Sequence, residues 1–197
     1  MATPVLGGVV LVGGRSRRMG RDKARLSVAG IPLWRRQVRR LETAGAHPVF
    51  LALRPRQRSL GEPEREIRDR HIDVGPLGGL HAAFTVLPRA EWIAVLAVDM
   101  PRVGPAWFRR LRARCRPGVG AVMVEPEGFQ PLAAIYPRAA FDVLTRRLRK
   151  KQFALQGLVA ELVRRKNLVV VPLPVNQRWR AANWNEPGDI PFKRGND

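Results

Sequence analysis

A run of apolar residues that ends in a glycine-rich basic loop is the feature that most constrains how this chain folds. Residues 8–12 read Gly-Val-Val-Leu-Val, which is typical of a buried strand in a parallel sheet. The next twelve residues read Gly-Gly-Arg-Ser-Arg-Arg-Met-Gly-Arg-Asp-Lys-Ala. Because Gly13 and Gly14 lack a Cβ atom, backbone N–H groups there can approach phosphate oxygens closely. The pattern therefore predicts a phosphate-binding loop after a buried strand, with a solvated basic loop as the alternative.

The positive charges of this loop have distinct properties. Arg15 and Arg18 each offer a planar guanidinium that can hold two phosphate oxygens, whereas Lys23 offers a compact ammonium group. The chain has only five lysines among its 36 basic residues, and Lys23 is the only lysine in the first 149 positions. We therefore predict that Lys23 and Arg18 stabilise charge on a reacting phosphate.

The rest of the chain alternates between helical and strand patterns. Apolar residues at helical spacing follow Pro32, Gly45 is a plausible helix stop, and an apolar run over 48–53 predicts a second strand. This order predicts a βαβ unit and a parallel sheet. Residues 54–70 look like a surface loop with a short element near 64–67. Further helices are expected over 80–87, 105–115, 138–150 and 153–165, and further strands over 92–98, 120–124 and 168–173.

Asp99 directly follows the most apolar strand of the chain, residues 92–98. In an open parallel sheet, ligands bind at the carboxyl ends of the strands, so Asp99 is expected on the same edge as the glycine loop. A carboxylate oxygen is a ligand that Mg²⁺ prefers. Asp99 is therefore a candidate metal ligand, with an N-cap for the helix over 105–115 as the alternative.

The loop segment as a whole resembles the signature Leu-x-Gly-Gly-x-Ser-x-Arg-Met-Gly-x-Asp-Lys of the molybdenum cofactor guanylyltransferases, the MobA-type nucleotidyltransferases. Val12 departs from the alanine that is usual in the family. The resemblance implies nucleotide contacts by Leu11, Val12, Gly13, Gly14, Arg15, Ser16 and Lys23.

Later segments resemble the same family in the same order, from residue 8 to residue 189. Residues 75–79 match Gly-Pro-Leu-x-Gly and imply nucleotide contacts by Gly78 and by Asp69, which precedes the motif. Asp99 matches the metal-binding aspartate of Asp-x-Pro. At the end of the second strand the family has Asn-x-Asn, whereas residues 52–54 of this chain read Ala-Leu-Arg. The base that Arg54 would contact therefore stays open between guanine and cytosine.

Two further segments concern the acceptor and the metal. Gln130 and Pro131 match a Gln-Pro-Leu segment that lines the acceptor side in the family. Residues 183–189 resemble Asn-x-Asn-x-Pro-x-Asp, whose second asparagine, here Asn185, faces the metal and the phosphates.

The resemblance implies a Rossmann-like α/β fold of three layers, with a mostly parallel twisted sheet covered by helices on both faces. We expect one nucleotidyltransferase domain over 1–197. The implied reaction is Mg²⁺-dependent transfer of GMP from GTP to a molybdopterin-type cofactor, with release of pyrophosphate. A cytidylyltransferase that uses CTP, another transferase acting on a related acceptor, and a non-catalytic adaptor that holds the cofactor remain alternatives. The receiving partner would be a molybdoenzyme or its chaperone.

Composition limits the partners and the compartment. The net charge of +20 suggests nucleic acid, but the arginines are spread along the chain and no aromatic stacking motif accompanies them, so we do not expect nucleic acid as a partner. We find neither an apolar run of 18 residues nor a leader pattern, and therefore expect no membrane association and a cytoplasmic protein. The single cysteine excludes an internal disulfide.

Overall fold

A computed structural model describes residues 5–13, 23–182 and 184 of the chain. The strands of this part are β1 (Leu6–Leu11), β2 (Ser27–Val28), β3 (Ile31–Pro32), β4 (Val49–Leu53), β5 (Glu66–Arg68), β6 (Trp92–Ala97), β7 (Gly120–Glu125), β8 (Gly128–Phe129), β9 (Ala133–Pro137) and β10 (Leu168–Pro172). The α-helices are α1 (Leu33–Thr43), α2 (Pro76–Val86), α3 (Pro105–Arg112), α4 (Ala140–Arg149) and α5 (Leu155–Arg164). Short 3₁₀ helices cover Lys23–Arg25, Pro63–Arg65 and Val175–Arg180.

The main sheet has the strand order β10-β7-β9-β6-β1-β4-β5, and β8 pairs with the end of β7. β1 lies between β4 and β6 and is parallel to both. Only β9 and β8 run antiparallel to their neighbours among the described strands of this sheet. The predicted βαβ unit and the mostly parallel sheet are therefore confirmed.

Both faces of the sheet are covered by helices, so the predicted three-layer α/β fold is confirmed. One hydrophobic cluster contains Val10 of β1 together with residues of α1 and α3. The other contains Val9 of β1 together with residues of α2, α4 and α5. Neighbouring side chains on a strand point to opposite faces, and here both faces are buried. Burial on both sides explains why β1 and β6 are continuous apolar runs rather than alternating ones.

The boundaries of α1 follow from its sequence. Its buried residues are Leu33, Trp34, Gln37, Val38 and Leu41, which form one stripe against the sheet. Gly45 has φ of +89°, so the predicted glycine stop is confirmed.

One predicted element is confirmed and another differs in the structure. The short element expected near 64–67 is the 3₁₀ helix Pro63–Arg65 followed by β5, which pairs in parallel with the outer side of β4. The helix expected over 80–87 begins four residues earlier, at Pro76, so Gly78 and Gly79 lie inside α2 instead of preceding it. Propensity disfavours glycine inside a helix, but here close packing against Asp69 and Leu11 leaves no room for a side chain.

The alternative role of Asp99 as a helix N-cap is wrong, because α3 begins at Pro105 with Gly104 as its N-cap. Among the described helices, none is long and apolar enough to cross a membrane. The extent of one domain over 1–197 stays a prediction.

Candidate active site

A cleft of about 210 Å³ lies at the carboxyl ends of β1, β4 and β6. The predicted site residues that line it are Leu11, Gly13, Lys23, Arg54, Asp69 and Asp99. A second cleft of about 710 Å³ adjoins the first, because Gly13, Arg54, Asp69, Gly75 and Pro76 border both. Clefts that bind small ligands measure roughly 300–1,000 Å³, so the two together form a groove of suitable size for a nucleotide. We call them the nucleotide groove.

Lys23 and Asp99 form an ion pair at one side of this groove. Lys23 Nζ lies 3.2 Å from Asp99 Oδ2 and donates a second hydrogen bond of 2.7 Å to Trp184 O. The two side chains are only 12% and 24% exposed, so water screens this pair less than it screens a surface pair. The backbone N–H of Trp184 donates to Asp99 O at 2.8 Å. Segments that are far apart in sequence therefore meet at the end of β6.

Asp69 is a nearly buried carboxylate at the border between the two clefts. Its side chain is 10% exposed, and Asp69 Oδ1 accepts a hydrogen bond of 2.7 Å from the backbone N–H of His71. Burial raises the pKa of Asp69, although His71 opposes the effect. A Cβ atom on Gly78 would lie 1.6 Å from Asp69 Oδ2. Gly78 thus makes room for Asp69, and its predicted contact with a nucleotide stays a prediction.

Gln57 connects the two loops that border the groove. Its buried side-chain amide donates to Val12 O at 3.1 Å and accepts from the backbone N–H of Arg54 at 3.1 Å. A Cβ atom on Gly13 would lie 2.9 Å from Arg54 Cγ. The aliphatic part of Arg54 therefore covers the start of the glycine loop, and Gln57 holds it there.

Gln37 supports the segment that carries Asp99. The side chain is fully buried, and its amide nitrogen donates to Ala97 O at 3.1 Å and to Met100 O at 3.0 Å. Its amide oxygen accepts a hydrogen bond of 2.7 Å from Arg40. Burial lowers the pKa of Arg40, and the neighbouring Arg36 adds to the effect. One side chain of α1 thus fixes the backbone on both sides of Asp99.

The two residues predicted on the acceptor side, Gln130 and Pro131, lie in a separate cleft. The amide nitrogen of Gln130 donates to Glu125 Oε2 at 2.6 Å, and the Tyr136 hydroxyl donates to Pro131 O at 2.8 Å. Leu132 borders both this cleft and the nucleotide groove, so the two are neighbours. The predicted acceptor residues therefore line a cleft that adjoins the nucleotide groove, and they do not line the groove itself.

Five predicted site residues lie outside the described part of the chain: Gly14, Arg15, Ser16, Arg18 and Asn185. Their predicted roles stay predictions.

Asp99 is the predicted metal ligand that the structure describes. In the described ranges, no group of three or more histidines, cysteines, aspartates or glutamates is placed to hold a metal ion. Mg²⁺ keeps several waters and is usually bound by one or two carboxylates together with the phosphates of the substrate. The partly exposed carboxylate of Asp99, at the edge of the groove, fits that mode.

The sequence matches the family model for the MobA-like NTP transferase domain over residues 8–169. The chain belongs to this family. A probable molybdenum cofactor guanylyltransferase from Opitutus terrae is 50% identical over 186 residues, which are 93% of this chain and 92% of the relative. A probable molybdenum cofactor guanylyltransferase from Synechococcus elongatus is 30% identical over 190 residues, which are 92% of this chain and 94% of the relative. The chain is thus a nucleotidyltransferase.

Solved structures show the same fold. Molybdopterin-guanine dinucleotide biosynthesis protein A from Archaeoglobus fulgidus matches with a TM-score of 0.66 and 24% identity, over 93% of this chain and 94% of that one. A nucleotidyl transferase from Methanothermobacter thermautotroptrophicus matches with a TM-score of 0.72 and 19% identity, over 94% of each chain.

Three residues that surround the site of this MobA-like transferase were not predicted from sequence: Gln37, Gln57 and Trp184. A signal existed for Gln37, because it is a polar residue within the apolar stripe of α1. Gln57 follows β4 in an irregular loop, where no periodicity marks a buried side chain. Trp184 contributes through its backbone groups, which the residue type does not reveal.

Proposed function

We propose that this nucleotidyltransferase transfers GMP from GTP to a molybdopterin-type molybdenum cofactor, with Mg²⁺ as its metal and pyrophosphate as the second product. The observation that carries the proposal is the Lys23–Asp99 ion pair at the edge of the nucleotide groove. The pair supports the proposal because it joins an ammonium group that can bind phosphate to a carboxylate that can bind a divalent cation. The relatives that bear the name molybdenum cofactor guanylyltransferase support the choice of guanine and of the acceptor.

The nucleotide would lie along the groove with its phosphates toward the glycine loop. In this proposal Leu11, Val12 and Gly13 contact the nucleotide together with Gly14, Arg15 and Ser16 of the loop. Asp69, beside Gly78, would accept hydrogen bonds from ribose or base, and Arg54 would lie beside the base.

Asp99, with Asn185, would hold Mg²⁺. When bound, the ion supplies positive charge against the phosphate oxygens. Gln37 fixes the backbone on both sides of Asp99, so this carboxylate would meet the metal with little rearrangement.

The chemistry needs positioning and charge stabilisation. An oxygen of the acceptor's terminal phosphate would attack the α-phosphorus of GTP, forming a new P–O bond while the bond to the β-phosphate oxygen breaks and pyrophosphate leaves. The attacking phosphate is already anionic, so a protein base is not required. Lys23 and Arg18 would stabilise the negative charge that builds on the leaving pyrophosphate.

The acceptor would approach from the side of β6 that carries Gln130 and Pro131. The predicted transfer of the product to a molybdoenzyme or its chaperone, and the cytoplasm as compartment, belong to this proposal as expectations.

The test measures pyrophosphate release from GTP and, separately, from CTP, with molybdopterin as acceptor and with and without Mg²⁺. We expect activity with GTP and Mg²⁺. Asp99→Asn should abolish it, and Lys23→Ala should lower kcat by about 10²–10³-fold, because it removes a charge that acts in the transition state. Asp142→Asn, the same change at an exposed carboxylate of α4, is the matched control and should be fully active.

Activity with CTP alone would replace guanine by cytosine in the proposal. Cofactor binding without pyrophosphate release from either nucleotide would support the non-catalytic adaptor. A fully active Asp99→Asn variant would refute the metal assignment.

A further inference from the structure

The carboxyl edge of the sheet carries another surface, on the far side of Asp99 from the nucleotide groove. In the strand order, β1, β4 and β5 lie on one side of β6, and β9, β7 and β10 lie on the other. The 3₁₀ helix Val175–Arg180 follows β10, and none of its residues is buried. The chain then reaches Trp184, which bonds to the backbone of Asp99. This helix therefore belongs to the half of the edge that the nucleotide groove leaves open.

Trp179 is the large aromatic residue of that surface. Its side chain is exposed, with 53% of the residue's surface accessible. The indole N–H donates to Asn176 O at 3.0 Å, within the same 3₁₀ helix. This bond holds the ring in one orientation, and about half of the residue's surface stays exposed beside the neighbouring guanidinium groups. An oriented aromatic ring loses little conformational entropy when a flat ligand packs against it.

Two guanidinium groups flank the Trp179 ring. The Cζ atom of Arg180 lies 5.0 Å from the ring centroid, and the Cζ atom of Arg102 lies 5.8 Å from it. Arg102 is on the loop after β6, three positions beyond Asp99. We call Trp179, Arg102 and Arg180 the Trp179 patch. It joins the loop that carries the predicted metal ligand to the segment that follows β10.

The charge of the Trp179 patch is not neutralised within the described residues. Neither Arg102 nor Arg180 has a carboxylate within 4.0 Å there, and the buried Nε atom of Arg180 has no hydrogen-bond partner among the same residues. On α4 and α5, in contrast, Glu161 pairs with Arg146, Arg147 and Arg165. The patch thus offers a flat ring next to guanidinium groups, whose planar donors match phosphate oxygens.

We propose that the Trp179 patch binds the pterin-type acceptor, with the acceptor's ring against the exposed part of Trp179 and its anionic groups on Arg102 and Arg180. This inference rests on the proposed function, since that reaction requires an acceptor with a terminal phosphate. The acceptor phosphate must meet the α-phosphate of the nucleotide near Asp99, so the remainder of the acceptor extends away from the nucleotide groove. The strand order supports the Trp179 patch as the surface in that direction, because Val175–Arg180 follows β10, on the other side of β6 from β1, β4 and β5.

The kinetic test varies the acceptor at saturating GTP and then GTP at saturating acceptor. Trp179→Ala should raise the acceptor KM about tenfold, the usual size of the loss when an aromatic platform is removed, and leave the GTP KM within twofold. Trp179→Phe should recover most of the affinity because it keeps an aromatic face. Arg102→Gln should also raise the acceptor KM about tenfold.

Two control variants separate this role from a general effect. Val175→Ala removes an exposed apolar side chain from the same 3₁₀ helix, and Arg114→Gln removes an exposed charge beyond α3. Both should leave the two KM values unchanged.

A binding measurement separates failure of this inference from failure of the proposed function. A monophosphorylated pterin is titrated without nucleotide and followed by its own fluorescence anisotropy, so that loss of the tryptophan does not remove the signal. We expect wild type to bind it and Trp179→Ala to bind about tenfold more weakly. If this holds while wild type releases no pyrophosphate, the patch is supported and the proposed function fails.

If wild type releases pyrophosphate but Trp179→Ala changes neither the acceptor KM nor pterin affinity, the inference is overturned and the proposed function stands. A rise in the GTP KM alone would also overturn it, since the ring would then serve the nucleotide base.

Discussion

Replacing Gly78 by alanine should damage the site through steric conflict with Asp69. The new Cβ atom would lie 1.6 Å from Asp69 Oδ2 and 2.1 Å from Asp69 Cγ, and neither distance is compatible with van der Waals contact. The carboxylate cannot simply withdraw, because its other oxygen accepts the backbone N–H of His71 at 2.7 Å. Either α2 shifts or the side chain of Asp69 leaves its position.

The magnitude follows from three contributions. Overpacking costs about 1–3 kcal/mol, and loss of a hydrogen bond to a charged acceptor costs about 1.5–3 kcal/mol. Alanine inside a helix offsets these by about 1 kcal/mol relative to glycine. We therefore expect Gly78→Ala to lower the free energy of unfolding by about 3 kcal/mol, a large part of the stability of a typical domain.

Urea unfolding measures this loss, which should appear as a midpoint shift of about 1 M or more. Gly157→Ala is the matched control. It is also a glycine inside a helix, but its new Cβ would meet Nη2 at the far end of the Arg147 side chain, at 2.7 Å, and not a short side chain fixed by its own backbone contact, so this variant should lose much less stability. A double variant tests the cause directly, because Asp69→Ala removes the side chain that the new Cβ atom would meet. The loss of stability in Gly78→Ala combined with Asp69→Ala should be smaller than the sum of the losses in the two single variants. Purely additive losses, or a Gly78→Ala variant as stable as wild type, would refute the reasoning.

The remaining predictions concern pH and the support of Asp99. Because burial raises the pKa of Asp69, ionisation of this side chain opposes folding at neutral pH. Asp69→Asn should therefore raise the free energy of unfolding at pH values above the pKa of Asp69 in the folded protein. This gain should vanish as the pH falls below the pKa of the unfolded chain, about 3.9. Burial of Glu161 also opposes ionisation, but Arg146 and the other arginines beside it lower the pKa of Glu161 overall. Glu161→Gln should therefore lower the free energy of unfolding above the pKa of the unfolded chain, and this loss should shrink as the pH falls. Urea unfolding from pH 8 to pH 4 checks both signs, and a gain with Glu161→Gln would contradict the second. Gln37→Leu removes the side-chain hydrogen bonds to Ala97 O and Met100 O and the acceptor of the Arg40 guanidinium, at a cost of about 1–3 kcal/mol. It should raise the Mg²⁺ concentration for half-maximal pyrophosphate release, and an unchanged Mg²⁺ requirement would mean that Gln37 is structural only.

Much of the fold could be predicted from local patterns. β1, β4 and β6 are uninterrupted apolar runs because both faces of the sheet are covered, and α1 ends at a glycine with positive φ. The position of Asp99 after β6 needed only the rule that parallel strands present their carboxyl ends at one edge. These features depend on residues that are close in sequence.

Other features could not be predicted because they depend on packing. The register of α2 is one: the apolar run pointed to a start at residue 80, whereas the packing of Gly78 against Asp69 and of Gly79 against Leu11 places both glycines inside the helix. The type of the short element near 64–67 is another: the three residues of β5 carry no periodicity of their own, and pairing with β4 makes them a strand.

By itself, the sequence determined the class of fold, the phosphate-loop motif and the two charged residues, Lys23 and Asp99, that the proposed chemistry needs. Only the tertiary structure decided that Lys23 contacts Asp99 and the backbone of Trp184, that Gln37 bonds to the backbone around Asp99, and that the guanidinium groups of Arg102 and Arg180 lie near the Trp179 ring. The physical reason is the sequence separation between the residues that interact. A strand or helix pattern reflects interactions over a few residues, whereas contacts between residues 76 or 161 positions apart follow from the strand order and from the packing of helices on both faces.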